Sequence, residues 1–258
     1  MKYGVKAFIK YKLFSRHRCG HGIHSPFVFE IVTKVFRRKG EKKELELAGA
    51  IRQVMLSDKR VIKRAAYGAN GKAEEIKAGK FVRRSSVRPK YGKLLYNLVA
   101  FYKPEAILEL GTAAGISAVY MALGNPDAKL VTIEGCRETA MIAQENFNRT
   151  GVKNATLVNA SFDEVLPLVF FDLRKIDMAF FDGNHTFEAT VSYFERCLPY
   201  VDENTVFVFD DIHWSQEMEK AWEKIKENEK VSISIDIHRM GLVFFRTGIE
   251  KQQFVIRY

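Results

Sequence analysis

Short apolar runs alternate with stretches of helical spacing throughout the second half of the chain. From residue 105 onwards, five apolar runs of five to seven residues are each followed by a segment whose apolar positions recur every three or four residues. The predicted strands are residues 106–110, 129–134, 155–159, 176–182 and 205–211, and the apolar segments 231–237 and 241–246 predict a terminal hairpin. Runs that are apolar on both faces are typical of parallel strands covered by helices. The pattern therefore predicts a doubly wound α/β fold with a mostly parallel, seven-stranded sheet.

The first 104 residues follow a different pattern. Residues 26–37, 44–57 and 90–103 have the apolar spacing of helices, and the Gly- and Lys-rich residues 67–80 predict a mobile loop. Residues 2–18 predict an amphipathic helix that packs on its own domain, on the second subunit of a homodimer or on a membrane surface. We expect a helical N-terminal extension over residues 1–80 and one α/β domain over residues 81–258.

Charge is divided unevenly along the 258 residues. Residues 1–104 contain 26 Lys and Arg against 7 Asp and Glu, a net charge of +19, whereas the remainder has a net charge of −9. A basic region of this kind favours an anionic partner, either RNA or a membrane surface, and a solvated basic face is the alternative. The sequence lacks a membrane-length apolar stretch, a signal-peptide core and any disulfide or metal spacing among its three cysteines. A cytoplasmic location is the expectation.

The ends of the first two strands indicate the class of ligand, because open α/β sheets bind ligands beyond the carboxyl ends of their strands. The first strand runs through Glu109 into a glycine turn at residues 111–115. The second ends at Glu134, whose two carboxylate oxygens suit the two hydroxyls of a ribose. The turn lacks the G-x-G-x-x-G spacing that brings a pyrophosphate to a helix, and Glu109 places negative charge where a dinucleotide has phosphates. These features favour S-adenosylmethionine over a nicotinamide cofactor.

Two stretches carry a resemblance to a known family. Residues 86–122 (SVRPKYGKLLYNLVAFYKPEAILELGTAAGISAVYMA) and 159–167 (NASFDEVLP) resemble the class I S-adenosylmethionine-dependent methyltransferases. The similarity is closest to the catechol- and caffeoyl-CoA-type O-methyltransferases and extends from Ser86 to Arg246. It implies a Rossmann-like methyltransferase fold, S-adenosylmethionine as cofactor and a small molecule with adjacent hydroxyls as methyl acceptor.

The resemblance also assigns cofactor contacts to individual positions. Glu109, Gly111 and Gly115 correspond to the methionine pocket, and Ser117 to the contact with the methionine carboxylate. Glu134 corresponds to the ribose ligand. The other positions that we assign to the cofactor site are Ser161 and Phe162 beside the adenine, Val87 near the entrance, and Thr112, Gly135 and Asp182.

Carboxylates follow the fourth and fifth predicted strands. Asp182 ends one strand and Asp210 and Asp211 end the other, and neighbouring strand ends lie about 5 Å apart. Carboxylates without neighbouring lysines repel one another, and oxygen ligands favour Mg²⁺ or Ca²⁺. We therefore predict a Mg²⁺ site at Asp182, Asp210 and Asp211, where the resembled family has Asp, Asp and Asn. The alternative is that Asp182 contacts only the cofactor and Asp211 caps a helix.

The catalytic residues expected from the resemblance are Asp182 and His185. His185 stands where catechol-type enzymes carry a lysine, and a histidine pKa near 6.5 suits proton removal at neutral pH. Mg²⁺ would gather two adjacent hydroxyls and lower the pKa of the one that attacks. His213 is the second candidate for the base or an additional metal ligand. Two other functions stay open: an RNA methyltransferase that uses the basic region, and a module that binds the cofactor without turnover.

Overall fold

The computed structural model describes residues 8–9, 11–13, 15, 20, 22–64 and 73–258. Much of the predicted helix over 2–18 and the first part of the predicted loop over 67–80 lie outside these residues. Residues 8–9 and 11–13 are helical. The chain divides into two compact units, one formed by Met1–Phe36 with Arg174–Tyr258 and the other by Arg37–Leu173.

The helices and strands follow the predicted order closely. The helices are α1 (Pro26–Glu30, continued as a π-helix over Ile31–Phe36), α2 (Lys42–Leu56), α3 (Ala78–Ser85), α4 (Pro89–Tyr102), α5 (Ile116–Gly124), α6 (Arg137–Thr150), α7 (Phe162–Leu173), α8 (Phe187–Cys197) and α9 (Gln216–Glu227). The strands are β1 (Val61–Arg64), β2 (Glu74–Lys77), β3 (Ala106–Leu110), β4 (Lys129–Ile133), β5 (Ala155–Val158), β6 (Met178–Phe181), β7 (Val206–Asp210), β8 (Ile233–Asp236), β9 (Met240–Phe244) and β10 (Gln252–Val255). Within the described part of the chain, no helix is long and apolar enough to cross a membrane.

The unit Arg37–Leu173 contains three parallel strands in the order β3–β4–β5. Every residue of β3 and all but the first of β4 are buried, as their continuous apolar sequences predict. Helix α5 packs against α4 and α2. The two helices α4 and α5 are in tight contact at Gly92, where a Cβ atom would overlap the ring of Tyr120. This packing fixes the helix that follows the glycine turn.

The other unit holds the strand order β10–β8–β9–β7–β6. Strand β6 is parallel to β7, β10 is parallel to β8, and β9 is antiparallel to both β7 and β8. The Phe181 and Phe209 rings of β6 and β7 stack with centroids 4.4 Å apart. On β9, a Cβ at Gly241 would lie 2.6 Å from Trp222 Cη2, so the backbone there packs directly on the indole. The predicted terminal hairpin is β8–β9.

The N-terminal segment of this unit is tied to the end of the chain by one buried side chain. The Tyr11 hydroxyl donates to the carbonyl oxygen of Ile256 at 2.8 Å and accepts from the N–H of Tyr258 at 2.9 Å. The Tyr11 ring also stacks on His238 with centroids 5.1 Å apart. Tyr11 therefore packs on its own unit, which was one of the alternatives predicted for residues 2–18.

The predicted α/β class and mostly parallel sheet are confirmed, with two corrections. In the described residues the main sheet has eight strands instead of seven, because β10 adds an edge strand whose half-exposed residues carry little apolar signal. The predicted loop over 67–80 is wrong for its last part, since β2 pairs with β1 and α3 begins at Ala78. Helix α3 continues across residue 80. The predicted domain boundary at that residue stays a prediction.

Candidate active site

A glycine turn joins the end of β3 to helix α5. The N–H groups of Gly111 and Thr112 donate to the carbonyl oxygen of Ile133, which ties the turn to the end of β4. Gly115 lies at φ +76° directly before α5, and a Cβ there would lie 2.8 Å from Phe147 Cε1. The turn thus requires glycine at this position both for its left-handed backbone and for the close approach of the helix packed beneath it.

Glu109 is fully buried at the end of β3 and is held in place by hydroxyl groups. The Thr132 hydroxyl donates to Glu109 Oε2 at 2.6 Å, and the Thr112 and Thr132 hydroxyl oxygens lie 2.5 Å apart. This chain of three side chains connects the glycine turn, β4 and the carboxylate. It fixes the carboxyl group beside the turn, where a carboxylate would favour a cationic ligand group over a phosphate.

Glu134 follows β4 and folds back onto the glycine turn. Its Oε2 accepts from the N–H of Ala113 at 2.8 Å and its Oε1 from the N–H of Cys136 at 2.9 Å. Burial raises the pKa of Glu134, although the N–H groups of Cys136 and Ala113 and the Thr139 hydroxyl act to lower it. The carboxylate is therefore oriented by the backbone on both sides and stays partly exposed.

The third strand of this unit ends beside Glu134. The Asn159 side chain, just after β5, donates to the carbonyl oxygen of Glu134 at 2.6 Å. Ser161 precedes α7, and its hydroxyl accepts from the N–H of Glu164 at 3.4 Å. Phe162 is the first residue of α7, and both Ser161 and Phe162 are half-buried. The residues predicted to flank an adenine thus begin the helix that follows β5.

The other residues predicted for the cofactor lie at two kinds of position. Ser117 is buried in the first turn of α5, and Gly135 is half-buried directly after Glu134. Val87 is fully buried between α3 and α4. The structure therefore brings most of the predicted cofactor residues to the carboxyl edge of β3, β4 and β5, and Val87 to the core before α4.

In the other unit, three carboxylates gather at the ends of β6 and β7; we call Asp182, Asp210 and Asp211 the acidic rim. Phe181 and Phe209 are paired in register, so the residues that follow them lie at one edge. Asp210 is fully buried, and Asp211 adopts a left-handed backbone at φ +53°. Burial and then the charge of Asp210 raise the pKa of Asp182 to about 7, which is the mutual effect expected of neighbouring carboxylates.

An arginine that the sequence analysis missed lies on the acidic rim. Arg239 donates from Nε to Asp210 Oδ1 at 3.1 Å and from Nη2 to Asp210 Oδ2 at 2.8 Å. Its Nη2 also lies 3.3 Å from Asp211 Oδ1. Burial acts to lower the pKa of Arg239, but the charges of Asp210 and Asp211 outweigh it and raise that pKa. No local pattern signals this contact, because Arg239 stands 28 or 29 residues along the chain from the two carboxylates it meets.

The two histidines predicted as candidate bases have different surroundings. His185 Nε2 lies 3.5 Å from Asp182 Oδ1, and its ring centroid lies 6.0 Å from that of the half-exposed Trp214. Burial acts to lower the pKa of His185, and Asp182 more than offsets it, so the pKa is raised. His213 Nε2 instead lies 2.7 Å from Asp236 Oδ2 within hydrogen-bonding distance. His213 is therefore already engaged by a carboxylate outside the acidic rim.

The predicted metal site does not fit the side chains as they are arranged. Both oxygens of Asp210 accept from Arg239, and the same guanidinium reaches Asp211. Among the residues that the structure describes, no group of three or more His, Cys, Asp or Glu side chains is arranged to hold a metal ion. The three carboxylates converge as predicted, but their counter-charge is a guanidinium.

Comparison with known proteins shows what this chain is similar to. Residues 108–212 match the family model described as a methyltransferase domain. The chain is 32% identical over 130 residues to a catechol O-methyltransferase of Niastella koreensis, which covers 49% of this chain and 58% of that protein. It is 35% identical over 104 residues to the catechol O-methyltransferase of Sus scrofa, covering 39% of this chain and 56% of that protein.

Solved structures agree on the fold. An O-methyltransferase from Bacillus cereus in complex with SAH superimposes with a TM-score of 0.56 at 19% identity, covering 84% of this chain and 97% of that chain. The Rossmann-like methyltransferase fold is thereby confirmed, as is the resemblance to class I S-adenosylmethionine-dependent O-methyltransferases. The chain spans just over half the length of these two curated relatives.

Proposed function

We propose that the protein is an S-adenosylmethionine-dependent O-methyltransferase that acts on a small molecule with phenolic hydroxyls. The observation that carries the proposal is the edge formed by β3, β4 and β5. There Glu134 is oriented by the N–H groups of Ala113 and Cys136, beside a glycine turn and the buried Glu109. The two catechol O-methyltransferases similar to the chain support the reaction class and suggest adjacent hydroxyls on the acceptor.

The residues at this edge fit the parts of S-adenosylmethionine. Glu134 retains acceptor capacity beyond its two backbone contacts, which suits the ribose hydroxyls. Glu109, held by Thr132, suits the ligand's positively charged groups, and Ser161 and Phe162 suit the adenine end. When bound, S-adenosylmethionine supplies a methyl group carried on a sulfonium. An oxygen nucleophile attacks this methyl carbon in line with the sulfur, which is the leaving group.

We assign proton removal from the acceptor hydroxyl to His185. Its Nε2 lies close to the Asp182 carboxylate, which favours the protonated ring that results when His185 accepts a proton. His185 would take up the proton that the acceptor hydroxyl gives up when its oxygen accepts the methyl group that bound S-adenosylmethionine would supply. The expected Mg²⁺ is not part of this proposal, because Arg239 engages the carboxylates meant to bind it.

The test begins with binding and proceeds to turnover. Calorimetry with S-adenosylhomocysteine should show one site per chain. Transfer of a labelled methyl group should then be measured on catechol, caffeate and a single-stranded RNA of mixed sequence. Binding with transfer to the phenols supports the proposal. Transfer to RNA alone would favour the RNA methyltransferase, binding without transfer to any acceptor would favour the non-catalytic module, and absence of binding would remove the proposal. A small-molecule partner, a homodimer and a cytoplasmic location stay predictions.

A further inference from the structure

The acidic rim contains a positive charge that the chain itself supplies. Arg239 meets Asp210 through two parallel hydrogen bonds, the fork geometry in which guanidinium and carboxylate bind most specifically. Unlike a lysine or a bound ion, a guanidinium neither loses its proton nor dissociates. Its contact to Asp211 extends the same charge over the second carboxylate of the pair.

This contact competes directly with a divalent cation. Mg²⁺ requires a near-ideal octahedron of oxygen ligands at about 2.1 Å. Asp210 is fully buried, and both of its oxygens are already directed at Arg239. A cation bound to Asp210 and Asp211 would also lie within a few ångströms of the guanidinium and be repelled by it. A metal ion and Arg239 in this position are therefore alternatives.

The backbone around Arg239 fixes it in this place. The β7–β9 register pairs Asp210 with Met240, so the residue before Met240 lies beside the end of β7. The N–H of Ile212 donates to the carbonyl oxygen of Arg239, and the N–H of Arg239 donates to that of Ile237. The backbone of Arg239 is thus held on both sides in a tight hairpin turn, which places its side chain beside the end of β7.

We propose that Arg239 is the permanent counter-ion of the acidic rim in place of a divalent cation, so that the rim binds no divalent metal ion. As a positioning residue it holds Asp210 and Asp211 without contact to the reacting atoms. The consequence for catalysis, methyl transfer without added metal, rests on the proposed function. The consequence for metal binding does not, and it is testable on the protein alone.

Binding of Mn²⁺ to the full chain, freed of metal with EDTA, is the deciding measurement, read from the paramagnetic resonance signal of free Mn²⁺. Three proteins are compared: wild type, Arg239→Gln and the control Arg246→Gln. Arg246 is an arginine of the same unit whose guanidinium lies over the Phe27 ring, 5.2 Å from its centroid. We expect the Kd for Mn²⁺ to be weaker than about 1 mM in wild type and in Arg246→Gln. We expect Arg239→Gln to bind one Mn²⁺ with a Kd that is lower than that of wild type by a factor of roughly ten or more.

Two results of the Mn²⁺ titration overturn the inference. One is stoichiometric Mn²⁺ binding by wild type below about 1 mM, and the other is an Arg239→Gln protein that folds and still binds no Mn²⁺. If Arg239→Gln does not fold, wild type decides alone: its melting temperature should not change with Mn²⁺, and a rise would contradict the inference. Turnover should survive EDTA, and a loss restored by Mg²⁺ would also overturn it. Failure of wild type to bind S-adenosylhomocysteine would instead remove the proposed function while leaving the Mn²⁺ results interpretable.

Discussion

Replacing Glu134 by Gln tests the proposed binding of the cofactor at the edge of β3, β4 and β5 with the smallest change of shape. The substitution keeps one carbonyl oxygen but turns the other acceptor into an amide donor, which then faces a backbone N–H of Ala113 or Cys136. It also removes the charge that strengthens any bond from a ribose hydroxyl. One hydrogen bond to a charged group is worth about 1.5–3 kcal/mol. We therefore expect the Kd for S-adenosylhomocysteine to rise by roughly 10- to 150-fold.

The assay is calorimetric titration of wild type and Glu134→Gln with S-adenosylhomocysteine, alongside the control Asp127→Asn. Asp127 is exposed in the turn before β4, at the opposite end of that strand from Glu134. The control should bind like wild type. Melting temperatures measured in parallel show whether each variant is folded, and Glu134→Asp, which keeps the charge but withdraws it by one methylene, serves if Glu134→Gln is unstable.

The pH dependence of binding gives a second readout with a definite sign. Burial raises the folded-state pKa of Glu134 above its ordinary value of 4.5. Since ribose hydroxyls donate to the charged form, affinity should be full above that raised pKa and fall as the pH is lowered through it. The decline should begin at a higher pH than an exposed glutamate would give, and it should be absent in Glu134→Gln. A folded Glu134→Gln protein that binds within threefold of wild type would refute the assignment of Glu134 as ribose ligand.

Three further outcomes follow from the structure. His185→Gln should lower the turnover number at least tenfold while affinity for S-adenosylhomocysteine changes by less than threefold, measured by labelled methyl transfer and calorimetry; equal turnover would reject His185 as the base. Gly241→Ala should lower the free energy of unfolding in urea by about 1–3 kcal/mol, because the new Cβ meets Trp222. As a control, Gly49→Ala should raise it by about 0.5–1 kcal/mol, because Gly49 lies inside α2 and a Cβ there meets no atom within 4 Å. Tyr11→Phe should cost about 1 kcal/mol of unfolding free energy through its lost bonds to Ile256 and Tyr258, and an unchanged midpoint would contradict that.

The positions of the residues at the carboxyl edge of β3, β4 and β5 could be predicted from sequence because the information is local. Buried parallel strands have continuous apolar sequences, and the residue after each strand is assigned by counting, as with Glu134 after β4. The glycine of a left-handed turn is similarly marked, as at Gly115. The edge strand β10 escaped the same reasoning because alternate residues of it are exposed and its four positions carry too short a pattern.

The composition of the acidic rim could not be predicted in the same way. Asp182, Asp210 and Asp211 were identified as neighbours from parallel strand ends, which is a rule about topology. The position of Arg239 depends instead on the antiparallel register of β9 on β7 and on the exact length of the turn from β8. A shift of one residue would direct the guanidinium to the opposite face of the sheet. Sequence pattern gives the hairpin but not this register, so the carboxylates were assigned a metal ion.

The β8–β9 hairpin contacts His213, one of the two histidines that the sequence analysis proposed as bases. Asp236, the last residue of β8, lies 2.7 Å from His213 Nε2, and the His213 ring stacks on His238 in the turn. The same turn presents Arg239 to Asp210 and Asp211. One structural element therefore engages His213 and two of the three carboxylates. His185 is instead paired with Asp182, which is why the base that we propose is His185 and not His213.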